Sequence, residues 1–122
     1  MNIKDNELIM SIKTVNLEKD MPTGDAAVAR LKLELMTLRR MGVDCVKVVH
    51  GYGSSGTGGV IRLRTRECLR NLQTEGRVKC FCPGESFGPF ENDGRKVIEM
   101  KPMLRSDRDW ARSNDGITIV IL

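Results

Sequence analysis

The chain has 122 residues, 40% of them apolar and 30% charged, and a net charge of +4. This length supports one domain with a single core, and the composition excludes wholesale disorder. No segment approaches the roughly 20 apolar residues that cross a bilayer, and no basic-then-apolar secretion signal is visible near residue 1. We therefore expect a cytoplasmic protein with no membrane partner, whose four cysteines stay unpaired.

The positive charge is concentrated in one segment. Residues 60–82 contain six basic and two acidic side chains, whereas the charges of the rest of the chain cancel. Such a concentration is typical either of a surface that binds a polyanion or of a solvated helix face.

Hydrophobic periodicity predicts alternating strands and helices. The helix at 25–41 joins two strands, so we expect a parallel pair with a right-handed crossover. The last strand is β-branched throughout and is expected to be central. The predicted strands lie at 13–17, 44–49, 77–82 and 115–122, and the predicted helices at 25–41 and 60–73.

The region 83–114 has little pattern and is expected to be a mobile or functional insertion. It predicts a turn at 92–94, a short strand at 96–100 and one helical turn at 106–110. Its aromatic residues Phe87, Phe90 and Trp110 could stack on nucleobases, pack in the core or close a lid.

The most informative segment is a glycine-rich loop, HGYGSSGTGG at 50–59, between a buried strand and a helix. Glycines let backbone N–H groups turn toward a ligand, and the N-terminus of the following helix attracts phosphate. Arg62, Arg66 and Arg70 form one stripe on that helix, and a phosphate backbone would relieve their mutual repulsion. The segment therefore predicts an anion site, the alternative being a flexible connector.

Small nucleotides are the competing ligand class. The loop matches G-x-G-x-x-G at 51–56, but the acidic residue expected about 20 positions later is missing. The lysine of a phosphate-binding Gly-Lys-Ser/Thr motif is also missing, which argues against an ATPase. A small-molecule nucleotide-binding protein, with 83–114 as its lid, remains the alternative.

The runs VKVVHGYGSSGTGGVIR and GITIVIL resemble the His-Gly-x-Gly loop and the closing strand of the Smr (small MutS-related) domain family. The resemblance implies an α/β fold over residues 1–122: a two-layer βαβαβ(β) sandwich with a mixed four-stranded sheet and two main helices, similar to the C-terminal domain of translation initiation factor three. It also implies DNA or RNA as partner, since several family members nick nucleic acid. The loop, the arginine stripe and this resemblance together give the candidate binding residues Gly51, Tyr52, Gly53, Gly58, Arg62, Arg66 and Arg70.

One departure from the family pattern bears on activity. The family's first strand ends in Leu-Asp-Leu-His-Gly, and this chain has Asn16 and Glu18 in place of the Asp and the His. We therefore expect a binder with weak or lost endonuclease activity. If the chain does cleave, His50 would act as general acid or base, Glu18 as the local carboxylate, and Mg²⁺ or Mn²⁺ as a possible cofactor. The alternative for His50 is that it only fastens the loop.

Overall fold

The computed structural model describes residues 12–18, 23–51 and 57–122. Four strands and three α-helices follow one another along these residues, with 3₁₀ turns at Gly84–Ser86 and Pro102–Ser106. The elements are β1 (Lys13–Asn16), α1 (Gly24–Arg40), β2 (Cys45–Val49), α2 (Thr57–Thr74), β3 (Cys80–Pro83), α3 (Asn92–Met100) and β4 (Ile117–Ile121).

The strands form one mixed sheet in the order β1-β2-β4-β3. β1 and β2 are parallel, whereas β4 is antiparallel to both of its neighbours, β2 and β3. The predicted parallel pair and the central position of the last strand are confirmed. All five residues of β4 are buried, because the sheet is covered on both faces.

Local sequence explains where α1 begins and ends. The Thr23 hydroxyl accepts a hydrogen bond from the Ala26 backbone N–H at 3.1 Å, which is the expected N-cap. The chain leaves the helix through Gly42, whose φ of +87° suits glycine. Ala27, Leu31 and Leu35 make its buried stripe.

One face of the sheet packs against α1 and α2, as predicted. Val46 and Val48 of β2 and Val120 of β4 are buried there together with leucines of both helices. This is the expected two-layer core.

The other face is covered by the segment 84–114, which adds a layer that the sequence did not predict. Phe87, Val97, Ile98 and Leu104 are buried against strand residues such as Ile119. The expectation of a mobile connection is therefore wrong for this segment.

Two local predictions in this segment are also wrong. The predicted turn at 92–94 and the predicted strand at 96–100 are one helix, α3. The turn expected at 106–110 does form one hydrogen bond, from the Trp110 N–H to the Asp107 carbonyl at 3.1 Å, and it directly follows the 3₁₀ turn Pro102–Ser106. Gly94 allows α3 to pack closely against the backbone of Gly88. A Cβ at position 94 would lie 2.3 Å from the Gly88 carbonyl oxygen. This glycine therefore marks a close approach of two backbone segments and not a turn.

All four cysteines are free and buried. Burial raises the pKa of the Cys45 and Cys82 thiols to about 12, so both pack as small apolar groups. Within the described part of the chain, no group of three His, Cys, Asp or Glu side chains could hold a metal ion.

Candidate nucleic-acid interface

His50 lies directly after β2, at the edge of the sheet where the glycine-rich loop begins, and its side chain is completely buried. Its Nδ1 lies 3.0 Å from the Gly51 carbonyl oxygen and its Nε2 lies 2.8 Å from the Thr118 hydroxyl. A carbonyl oxygen can only accept, so Nδ1 carries the proton and Nε2 accepts from Thr118. Both ring nitrogens are therefore hydrogen-bonded to other groups of the protein.

The surroundings of His50 favour its neutral form. Burial lowers the pKa of His50 to about 4, the hydrogen bond to Gly51 opposes this, and the charges of Arg66 and Arg62 lower the pKa further. At neutral pH the imidazole is uncharged and shielded from solvent.

Gly51 makes the sharp change of direction after His50. Its φ is +83°, and a Cβ at this position would lie 2.8 Å from the Glu18 carboxylate. The backbone N–H groups of His50 and Gly51 both donate to the Gly116 carbonyl at 3.0 Å. The loop is thus fastened to the turn that precedes β4.

The two residues that depart from the family pattern lie beside this loop. The Asn16 side chain accepts from the Glu18 backbone N–H at 2.9 Å and so shapes the end of β1. Glu18 is exposed and lines a cavity of about 170 Å³ together with Gly51, Asn114, Gly116 and Arg108. Sequence reasoning named Glu18 and Gly51 but missed the residues that come from 108–116.

Two of the three arginines in the predicted stripe of α2 are paired with carboxylates of the protein. Arg62 donates to Asp115 at 3.0 Å, and Arg66 forms a two-pronged pair with Glu85 at 2.7 and 2.8 Å. Arg70 is exposed, with no carboxylate partner among the described residues. The argument that a phosphate is needed to relieve repulsion is therefore wrong for Arg62 and Arg66, since internal carboxylates already do so.

The two ion pairs differ in how open they are to solvent. The side chains of Arg62 and Asp115 are 26% and 39% exposed, whereas Arg66 is 13% exposed. The carboxyl pKa of Glu85 is lowered: burial opposes this, and the hydrogen bonds and charge of Arg66 outweigh it. Arg62 is thus the more accessible of the two guanidiniums, although the Nε atom of each is buried and has no acceptor among the described residues.

A buried charged cluster holds the segment 107–109 against the sheet. Lys47 Nζ donates to Asp107 at 2.7 Å and to Asp109 at 2.6 Å, and Asn114 donates to the other oxygen of Asp109. Although burial opposes it, the hydrogen bonds from Asn114 and Lys47 lower the pKa of Asp109. Arg108, between the two aspartates, is exposed and lines the cavity.

A signal for this cluster was present in the sequence. Lys47 is the one charge in an otherwise apolar strand, and a buried ammonium requires carboxylate partners. The partners themselves lie 60 and 62 residues away along the chain and could not be identified from spacing.

The remaining predicted site residues are placed as follows. Tyr52 and Gly53 lie outside the described residues. Gly58 lies in the first turn of α2, which begins three residues before the predicted start.

Comparison with known proteins gives one family and one similar structure. The family model for the Smr domain matches residues 20–101, about two thirds of the chain. The crystal structure of the Smr domain of Thermus thermophilus MutS2 is similar with a TM-score of 0.55 and 22% identity, over 91% of this chain and 98% of that one. A comparison with curated proteins gives no match. Among the described residues, no helix is both long and apolar enough to cross a membrane.

Proposed function

Because the chain belongs to the Smr domain family, we propose that it binds the sugar–phosphate backbone of DNA or RNA at the edge of the sheet where β2 ends. The observation that carries this proposal is that Arg108 and the turn at Gly51 line one cavity. The Gly51 N–H already donates to Gly116, so Gly51 contributes close approach, because it has no side chain, and Arg108 contributes the charge. The acidic lining residues are Asp109, which is paired with Lys47, and Glu18. Arg62 is paired with Asp115, next to cavity residue Gly116. Phosphate oxygens are the ligand that suits a guanidinium at such a turn.

The ion pair of Arg62 is compatible with this role. Exposed pairs of this kind stabilise a protein by about 1 kcal/mol or less. A phosphate that offers two oxygens to the guanidinium can therefore share it with Asp115 or displace the carboxylate. Arg66, whose two terminal nitrogens Nη1 and Nη2 are both paired with Glu85 and whose side chain is 13% exposed, contributes mainly by anchoring α2 to Glu85.

His50 acts in this proposal as a positioning residue for the loop. A general acid or base must reach the proton that it transfers, whereas His50 is buried with both nitrogens bonded inside the protein. Its hydrogen bonds hold Gly51 in the conformation that lines the cavity.

The size of the described part of the cavity is compatible with a polymer backbone. Sites that enclose small molecules usually measure about 300–1,000 Å³, and the part of this cavity lined by described residues measures about 170 Å³. A backbone that passes over the cavity needs to insert only its phosphate oxygens.

Binding of labelled single-stranded and duplex oligonucleotides, followed by fluorescence anisotropy, tests the proposal. We expect Arg62→Gln and Arg108→Gln each to weaken binding about tenfold, because each removes a charge-assisted contact. Arg40→Gln is the matched control, since Arg40 ends α1 at the opposite edge of the sheet. Equal affinity of all four proteins, or absence of binding, would contradict the proposal.

A supercoiled plasmid incubated with Mg²⁺ or Mn²⁺ tests the role of His50. We expect the protein to bind the plasmid, and we expect the parent and His50→Gln to nick it to the same extent or not at all. Nicking that His50→Gln abolishes, with affinity unchanged, would show that His50 transfers a proton and is not only a positioning residue.

A further inference from the structure

A second concave surface lies between α3 and the 3₁₀ turn Pro102–Ser106. It is a groove of about 510 Å³, and we call it the Trp110 groove. Trp110 and Ile98 give it apolar walls, and Arg95, Arg105 and Glu99 are its charged lining residues. The site described above includes none of these residues.

The Trp110 side chain is partly exposed to solvent and packs against a buried phenylalanine. Its ring meets the ring of Phe87 edge to face, with centroids 5.0 Å apart and planes at 77°, and Phe87 is 1% exposed. An aromatic ring fixed in this way loses little entropy when a flat ligand stacks on it. The groove thus has a preformed surface for stacking.

The charges of the groove favour an anionic ligand. Arg105 is exposed, and no described carboxylate forms an ion pair with it. Arg95 is fixed by hydrogen bonds to the Pro89 carbonyl, at 3.0 Å, and to Asn92. Glu99 is the one acidic lining residue, so the net charge is positive, and its carboxylate can accept from a ring amino group.

The groove and the cavity lined by Gly51 and Gly116, which we call the loop-end cavity, are both lined by residues of one short segment. Arg105 and Trp110 line the groove, while Arg108 and Asp109 line the cavity. The Cα atoms of residues 105 and 108 lie at most about 11 Å apart. About three steps of a stacked nucleic-acid strand, at about 3.4 Å each, can span such a separation.

We propose that the Trp110 groove accepts an unpaired nucleobase of a strand whose phosphates lie at the loop-end cavity. The base stacks on Trp110, and Arg105 contacts the adjoining phosphate. This inference rests on the proposed function and adds to it a preference for single-stranded ends or loops over blunt duplex. The continuity with the cavity and the positive charge favour this ligand over a peptide.

The chain contains one tryptophan and one tyrosine, Tyr52, so emission excited at a wavelength that tyrosine does not absorb reports on Trp110 and its groove alone. The experiment titrates the full chain with an unlabelled 12-nucleotide single strand and follows Trp110 emission, while anisotropy of the labelled strand measures binding separately. We expect emission to be quenched over the same concentration range as the anisotropy change. A blunt duplex is expected to bind with less quenching.

Variants separate stacking from loss of fold. Trp110→Leu should weaken single-strand binding about tenfold, whereas Trp110→Phe, which keeps a stacking surface and the contact with Phe87, should stay within about threefold. Arg105→Gln keeps the core intact and should weaken binding, whereas the control Arg40→Gln should not. Thermal unfolding of each variant identifies any that lose the fold, and Arg105→Gln then carries the test.

Three results would overturn the inference, and they are distinguishable. In the first, anisotropy shows binding without quenching of Trp110, and Trp110→Leu and Arg105→Gln bind as tightly as the parent. This result rejects the groove as a base site but does not contradict the proposed function. Quenching by an acidic or proline-rich peptide, and not by the oligonucleotide, assigns the groove to a protein partner. No binding of any nucleic acid rejects the proposed function as well.

Discussion

At the scale of single residues, His50 decides how the glycine-rich loop is held. A histidine that is buried and neutral in the folded protein has a lowered pKa, about 4 here against an ordinary 6.5. The unfolded chain therefore binds more protons than the folded protein between these values, and folding loses stability as the pH falls through this range. We expect a loss of about 3 kcal/mol between pH 7 and pH 4 from this group.

Urea unfolding at intervals between pH 7 and pH 4 measures this effect. His50 is the only histidine, so the slope between pH 6.5 and pH 5 belongs to it. The lowered pKa values of Glu85 and Asp109 act at lower pH. In His50→Gln the free energy of unfolding should no longer change between pH 6.5 and pH 5. A change that persists over this pH range would show that His50 is not its source.

The same scale shows what the sequence could and could not predict at the site. Glu18, Gly51 and His50 were identified because they belong to motifs of adjacent residues, and the structure places Glu18 and Gly51 along one cavity. Asp115 and Glu85 were not identified as partners of the arginines, because a salt bridge between distant residues leaves no pattern of spacing. Arg108 was not identified as a lining residue of the cavity for the same reason, since it is distant from Gly51 along the chain.

At the scale of elements, the segment 84–114 shows how tertiary packing overrides local preference. Val97 and Ile98 are β-branched and suggested a strand, yet both are buried in α3 against the second face of the sheet. The strands and helices with long periodic patterns, such as α1 and β4, were predicted within a few residues. The short elements of this segment were not, because their conformation depends on contacts with the sheet.

Gly94 tests this account of α3. Alanine normally stabilises a helix by up to about 1 kcal/mol relative to glycine. Here the added Cβ would lie 2.3 to 2.6 Å from backbone atoms of Ser86 and Gly88, and such overpacking costs about 1–3 kcal/mol. We expect Gly94→Ala to destabilise the protein by about 2 kcal/mol in urea unfolding.

A matched substitution in the same helix gives the control. Lys96 is exposed in α3, so Lys96→Ala should change the free energy of unfolding by less than about 0.5 kcal/mol. Stabilisation by Gly94→Ala would mean that α3 does not approach the 86–88 backbone as closely as described.

At the scale of the whole molecule, both faces of the sheet are covered, and the cavity lined by Gly51 and Arg108 lies at the edge where β2 ends. The Smr domain match covers residues 20–101, and the closing segment 102–122 completes the cavity through Arg108 and Gly116. The buried contacts of Lys47 with Asp107 and Asp109 fix that segment to the sheet. The proposed binding edge is therefore assembled from both parts of the chain.

The salt dependence of oligonucleotide affinity tests this central claim most directly. Each phosphate neutralised by the protein adds about −0.9 on a duplex, or about −0.7 on a single strand, to the slope of log K against log salt concentration. We expect a clearly negative slope for the parent that becomes shallower by about 1 in Arg62→Gln and in Arg108→Gln on duplex DNA, and is unchanged in Arg40→Gln. A slope near zero in the parent, or an identical slope in all four proteins, would contradict the account.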